Sequence, residues 1–290
     1  MTFNPGRRSS FKKMILGSAA VGSLASFESK QEASFQLKGN INHGVCAWSM
    51  RPLSLEELCQ NIKSVGVGAI DLIGPNNWET LKKYDIHCSM CNGAEIGIPD
   101  GFNDPKFHDQ LEKNYTEVIP LVAKAGYQNI IAFSGNRRGM DDETGLKNCE
   151  IGIKKILGLA EKHGVTITME LLNSRVDHKD YMCDKSAWGI ELCKRISSDN
   201  FKLLFDIYHM QIDEGDIIRT IRNNHQYFGH YHTAGNPGRN DLDDKQEIYY
   251  PPIMQAIVDS GFKGYVSHEF IPKGEDKIAA LGHAVQVCDV

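Results

Sequence analysis

The chain has 290 residues, 41% of them hydrophobic and 24% charged, with a formal net charge of −5. That length and balance exclude a disordered or fibrous chain and suit one soluble globular unit of barrel size. No Lys/Arg-dense stripe follows residue 13, which argues against a nucleic-acid partner and leaves a small-molecule substrate as the expectation.

Residues 1–25 read as an export signal. Arg7-Arg8-Ser9-Ser10-Phe11-Lys12-Lys13 forms a basic start, Met14 to Phe27 a weakly apolar stretch, and Ser23-Leu24-Ala25 a small-residue cleavage site. The apolar stretch is too short to span a bilayer, so no stable membrane span is expected. The paired arginines resemble a twin-arginine signal, which implies export, to the periplasm in particular. A cytoplasmic chain with a basic tail is the alternative. Residues 26–40 are polar and aperiodic, as in a linker, and residues 41–290 hold the folded unit.

From there short apolar runs alternate with amphipathic stretches. The runs are 44–48, 69–73, 86–91, 129–134, 165–170, 201–206, 227–232 and 264–269. Eight strands with helices between them predict parallel pairing and closure into a (β/α)₈ TIM barrel. Ser54-Leu55-Glu56-Glu57 is a capping box, and Leu55, Leu58, Ile62 and Val65 form the apolar face behind it, up to Gly66. Asp104-Pro105 opens a long helix to Gly126; Ile153, Ile156, Leu157 and Ala160 mark another before Gly164. Asp213 to Asn224 and Pro252 to Ser260 are read the same way. An open doubly wound sheet is the rival, weakened because no G-x-G-x-x-G or phosphate-binding loop follows a strand.

Most of the eight cysteines sit within apolar patterns, so buried free thiols are expected rather than disulfides. Cys88-Ser89-Met90-Cys91 has redox or zinc spacing but lies in a strand-like run with no second pair to complete a site.

Parallel barrels carry chemistry where strands meet the loops that follow. Glu170, Asp206, His232 and Glu269 end four successive late strands, spaced 36, 26 and 37 residues apart. Three carboxylates in one pocket repel one another unless a cation lies between them. Oxygen donors with one imidazole suit Mn²⁺ or Mg²⁺, with Co²⁺ or Zn²⁺ as further options. The bland alternative is four solvated or ion-paired loop residues.

Met169-Glu170-Leu171-Leu172-Asn173, Phe205-Asp206-Ile207-Tyr208-His209, Gly229 to Gly235, Pro237-Gly238-Arg239 and His268-Glu269-Phe270-Ile271-Pro272 resemble the xylose isomerase-like barrel superfamily. Hydroxypyruvate isomerases and ketose 3-epimerases are the nearest match. The resemblance runs from about residue 42 and includes Glu247-Ile248-Tyr249-Tyr250 on the hydroxypyruvate-isomerase side. It implies that Glu170, Asp206, His232 and Glu269 hold one divalent metal. It also implies that Glu170 and Glu269 exchange protons with a small hydroxy-keto acid or sugar through an enediolate.

His209, Arg239 and Trp48 are the candidate substrate contacts: a donor to a substrate oxygen, a clamp on a carboxylate or hydroxyl, and an apolar wall. The expected reaction is an aldose–ketose type isomerisation such as hydroxypyruvate to tartronate semialdehyde. The alternatives are a ketose 3-epimerase, an inosose dehydratase or sugar lyase, a non-catalytic sugar-binding barrel and a metal-dependent nuclease. Some hydroxypyruvate isomerases carry Gln where this chain has His232, which pulls toward the epimerases. His230 and His232 alternate with Tyr231, and His268 with Glu269, so not all of them can face one pocket. The resemblance also implies a homodimer or homotetramer.

Overall fold

A computed structural model describes residues 36–290. The expected export signal and most of the expected linker lie outside the described residues. At the start of the described chain, Lys38 N–H donates to Asp289 Oδ2 (2.9 Å) and Asn40 Nδ2 to the Val290 carbonyl (2.8 Å). Residues 38–40 are thereby tied to the chain's last two residues.

Eight parallel strands pair in chain order and the last closes on the first. They are β1 (Asn42–Cys46), β2 (Val67–Ile73), β3 (His87–Cys91), β4 (Asn129–Ala132), β5 (Thr166–Glu170), β6 (Phe201–Asp206), β7 (Phe228–Thr233) and β8 (Tyr265–His268). The predicted TIM barrel is the observed fold. Each apolar run overlaps its strand, because a strand covered on both faces needs near-continuous apolar residues; β1 and β2 begin two residues before their runs and β7 ends one residue after its run. Trp48 lies just past β1, in a 3-10 turn over Ala47–Met50.

The surrounding helices are α1 (Leu55–Asn61), α2 (Trp78–Lys83), α3 (His108–Ala125), α4 (Asp142–His163), α5 (Ser186–Ile196), α6 (Ile207–Asp213), α7 (Ile217–Asn224), α8 (Tyr250–Asp259) and α9 (Lys277–Cys288). The capping box forms as expected: Glu57 N–H donates to Ser54 Oγ, and Ser54 N–H donates to Glu57 Oε2 at 2.8 Å. Asp104 caps a short 3-10 turn that leads into α3.

Helix boundaries differ in places: the helix expected from Pro252 to Ser260 is Tyr250–Asp259, and the one expected from Asp213 to Asn224 begins only at Ile217. Gly215 (φ 69°) and Asp216 (φ 49°) adopt left-handed backbone there and separate two helices, α6 and α7. The first, α6, starts directly at the end of β6, where Asp206 Oδ1 accepts from His209 N–H at 3.0 Å. The strand's terminal carboxylate is thus also a helix N-cap. That cap sets His209 immediately beside the barrel mouth.

Inside the barrel, space is tight. A Cβ on Gly44 of β1 would collide with Ser267 Oγ, so a larger residue there requires Ser267 to shift within the barrel. Outside, Leu203 packs against Gly189 of α5, and Phe205, Phe228, Tyr231 and Phe262 form an aromatic cluster. By alternation, Leu204, Asp206, His230 and His232 face inward. The eight cysteines are buried and unbridged. Cys91 Sγ donates to Cys88 Sγ at 3.5 Å. No helix among the described residues is long and apolar enough to cross a membrane.

Candidate metal and proton-transfer site

The four strand-end residues converge. One ligand atom from each of Glu170, Asp206, His232 and Glu269 lies within 4.8 Å of all the others, and all four residues are buried. Their elements explain this. Glu170 and Asp206 are the last residues of β5 and β6, His232 is next to last in β7, and Glu269 immediately follows β8. Closure of the barrel turns four neighbouring strand ends toward one axis.

His232 is the hinge of the cluster. Its Nδ1 is 3.0 Å from Glu269 Oε2, 3.3 Å from Glu170 Oε1 and 3.9 Å from Asp206 Oδ2. Its Nε2 is 3.0 Å from Asp71 Oδ2. Asp71, in the middle of β2, is completely buried and also accepts from His230 Nε2 at 2.6 Å and from Ser89 Oγ. Both inward histidines of β7 therefore rest on one carboxylate. His268 turns away: its ring stacks on His43 and its Nδ1 meets Thr233 Oγ1, while Glu269 enters the cluster. Both results follow from alternation: His268 and Glu269 point apart, while His230 and His232, two residues apart, share a face.

Arg239 reaches in from the loop after β7. Its guanidinium lies between the rings of Trp48 (5.1 Å) and Tyr208 (5.6 Å), and Nη2 donates to Glu269 Oε2. Trp48 Nε1 donates to the other Glu269 oxygen at 2.7 Å. His209 is fully buried beside them, with Nε2 3.7 Å from Asp206 Oδ2. The sequence-predicted site residues are thus brought together. Asp71, Asn173 and Tyr208 join them without having been singled out. The signal for Asp71 was a carboxylate inside the apolar run Ala69 to Ile73.

The electrostatics are uneven. Burial raises the Glu170 carboxyl, and the Glu269 charge adds to it, against opposing pulls from His232 and Arg239. Burial likewise pushes Asp206 up to about 7, with Arg239 pulling the other way. Burial also works against ionised Glu269, yet Arg239 and His232 hold it well below the usual range. His232 is pushed well up despite burial, by Cys46, Glu269 and Asp71 around it.

These residues fit a divalent cation. Glu170 Oε1 is buried without a hydrogen-bond partner. If His232 Nε2–H donates to Asp71, its Nδ1 lone pair faces three carboxylates, an arrangement that requires a proton or a cation among them.

A family model described as xylose isomerase-like TIM barrel matches residues 78–287. The chain belongs to that family. It is 32% identical over 114 residues to the 2-oxo-tetronate isomerase of Cupriavidus necator, a match covering 39% of this chain and 43% of that one. It is 29% identical over 187 residues to a putative hydroxypyruvate isomerase of Xenopus laevis, covering 61% of this chain and 66% of that one. These matches fall short of two thirds of either relative's length. In fold, the chain is similar to a D-psicose 3-epimerase solved with D-tagatose from Clostridium cellulolyticum H10. The TM-score is 0.71 at 17% identity, over 86% of this chain and all of that one.

Proposed function

We propose that this chain is a metal-dependent isomerase that shifts a proton between adjacent carbons of a small α-hydroxy-carbonyl compound, of the hydroxypyruvate isomerase type. The observation that carries the reading is the convergence of Glu170, Asp206, His232 and Glu269 on one point. These four would hold the ion, Mn²⁺ or Mg²⁺ by donor type. A divalent cation there would polarise the carbonyl and hydroxyl oxygens of the substrate and make the C–H of the hydroxyl-bearing carbon more acidic.

The protein's own groups divide the remaining work. Glu170, with one oxygen unpartnered, is the base that takes the carbon-bound proton. Glu269 is held by Trp48 and Arg239 on its two oxygens and serves the opposite side of the substrate. His209 Nε2, buried and unpartnered, donates to a substrate oxygen as negative charge develops. Returning the proton to the neighbouring carbon gives an isomer; returning it to the opposite face of the same carbon gives an epimer. The imidazole of His232 among the ligands favours a ketose 3-epimerase as the second reading.

The test is hydrogen exchange. In D₂O with Mn²⁺, the wild type is expected to wash deuterium into the hydroxylated carbon of hydroxypyruvate or a ketose. Glu170→Gln and Glu269→Gln should each lose about 10²–10⁴-fold in rate while keeping wild-type circular dichroism. Full exchange in both variants would end the assignment. A dehydratase would instead release water and leave an unsaturated product.

A further inference from the structure

Asn173 follows β5 and occupies none of the roles above, yet its side-chain hydrogen bonds are completely determined. Its Oδ1 accepts from Val176 N–H and Asp177 N–H, both at 3.0 Å. Its Nδ2 is 2.6 Å from Asp177 Oδ2 and 2.6 Å from His209 Nδ1. Two acceptor sites and two donor hydrogens are all used, which is the full capacity of an amide. Turning the amide over would set its oxygen against the Asp177 carboxylate and its NH₂ against two backbone N–H groups. The orientation therefore has one solution.

The consequence falls on His209. An NH₂ group offers only protons, so His209 Nδ1 must present its lone pair. In a neutral imidazole the proton then sits on Nε2. That nitrogen has no hydrogen-bond partner, and the whole side chain is buried. At 3.7 Å, Asp206 Oδ2 is too far to satisfy it. A buried N–H without a partner costs free energy unless a ligand supplies an acceptor. Asp177 is itself fixed by Tyr208 O–H, at 3.0 Å, so the lock spans β5, its following loop and α6.

We infer that Asn173 is a positioning residue that locks His209 in its Nε2–H tautomer, making it an obligatory donor to a substrate oxygen. The use of that donor rests on the proposed isomerase reading, but the lock itself is a property of the resting protein.

The experiment is long-range ¹H–¹⁵N spectroscopy of the full chain, labelled at histidine and loaded with Mg²⁺, with His209 assigned through His209→Gln. The wild type is expected to show a bare Nδ1 and a protonated Nε2. Asn173→Asp keeps an oxygen for both loop N–H groups but replaces the donor with an acceptor, so Nδ1 should gain a proton. Asn173→Ala should give a mixture of tautomers, and its exchange rate should fall on the order of 10²-fold at unchanged Mg²⁺ affinity. A protonated Nδ1 in the wild type, or a bare Nδ1 in Asn173→Asp, overturns the lock. Because the tautomer is read without turnover, a correct tautomer in a chain that exchanges no substrate hydrogen would sink the isomerase reading alone.

Discussion

Measured relative to the Mn²⁺-loaded protein, the metal-free chain should lose stability as pH rises from about 4 to about 7; the buried neutral His43, His209 and His268, which add stability over the same range, are common to both and drop out of the difference. In the metal-free fold, burial pushes Asp206 up to about 7 from an ordinary 3.8. Between those values the folded chain holds a proton that the unfolded chain has released. The stability contributed by this group is then higher at the acid end and is lost as pH climbs through the folded value. At about 1.4 kcal/mol per pH unit, the gap is on the order of 4 kcal/mol. Glu170, raised by burial and by Glu269, contributes with the same sign. Glu269 is held low by Arg239 and His232 against the effect of burial, so its window lies below the ordinary carboxylate range and does not cancel the trend. For a domain of this size, about 4 kcal/mol corresponds to roughly 8–16 °C in Tm. The assay is thermal unfolding of chelator-treated and Mn²⁺-loaded protein from pH 4 to 8, with Asp206→Asn as control. The metal-free variant should lose the Asp206 share of that pH-dependent difference because its amide does not titrate. Parallel curves for metal-free and loaded wild type would refute the reasoning.

Two further outcomes follow from the interior of the barrel. Asp71→Ala removes the acceptor for His232 Nε2 and should weaken Mn²⁺ binding about 10–100-fold by calorimetry; an unchanged Kd would mean that His232 is oriented without it. Gly44→Ala forces a Cβ to 2.2 Å from Ser267 Oγ and should cost about 1–3 kcal/mol in denaturant unfolding, with Ser267→Gly restoring part of the loss. Wild-type stability in the single variant would show that the interior has more room than its contacts indicate.

What the sequence made legible was whatever a local pattern encodes. The run 201–206 coincides with β6 to the residue, because its end is marked by a charge that both terminates the strand and caps the next helix. Glu170, Asp206, His232 and Glu269 were readable because strand ends repeat at unit spacing. Asp71 was not, because its partners His230 and His232 lie 159 and 161 residues away and become neighbours only on closure. Asn173 was visible as part of a motif, but its role depends on a loop that folds its own backbone N–H groups back onto the amide. The break between α6 and α7 was missed because it lies in left-handed backbone at Asp216 as well as at a glycine, and an aspartate there is no stop signal by itself.

Arg239 and Trp48 show why position alone does not assign a role. Both are at the mouth, where a clamp and an apolar wall were expected, and both are hydrogen-bonded to Glu269. Three buried carboxylates meet one guanidinium at the cluster, leaving a deficit of two positive charges before His232 is counted. A proton on His232 Nδ1 covers half of that deficit, and a proton on Asp206 covers the rest, which is the arrangement the raised values of both groups describe. A single divalent ion covers all of it and releases both protons. Metal binding should accordingly be tighter at higher pH, in step with the stability difference between the metal-free and loaded chains. With those protons gone, Glu170 would be left ionised, the state its proposed role as base requires. A cation there would therefore do more than hold a substrate: it would set the protonation of the residues around it, because Arg239 alone leaves two negative charges uncompensated.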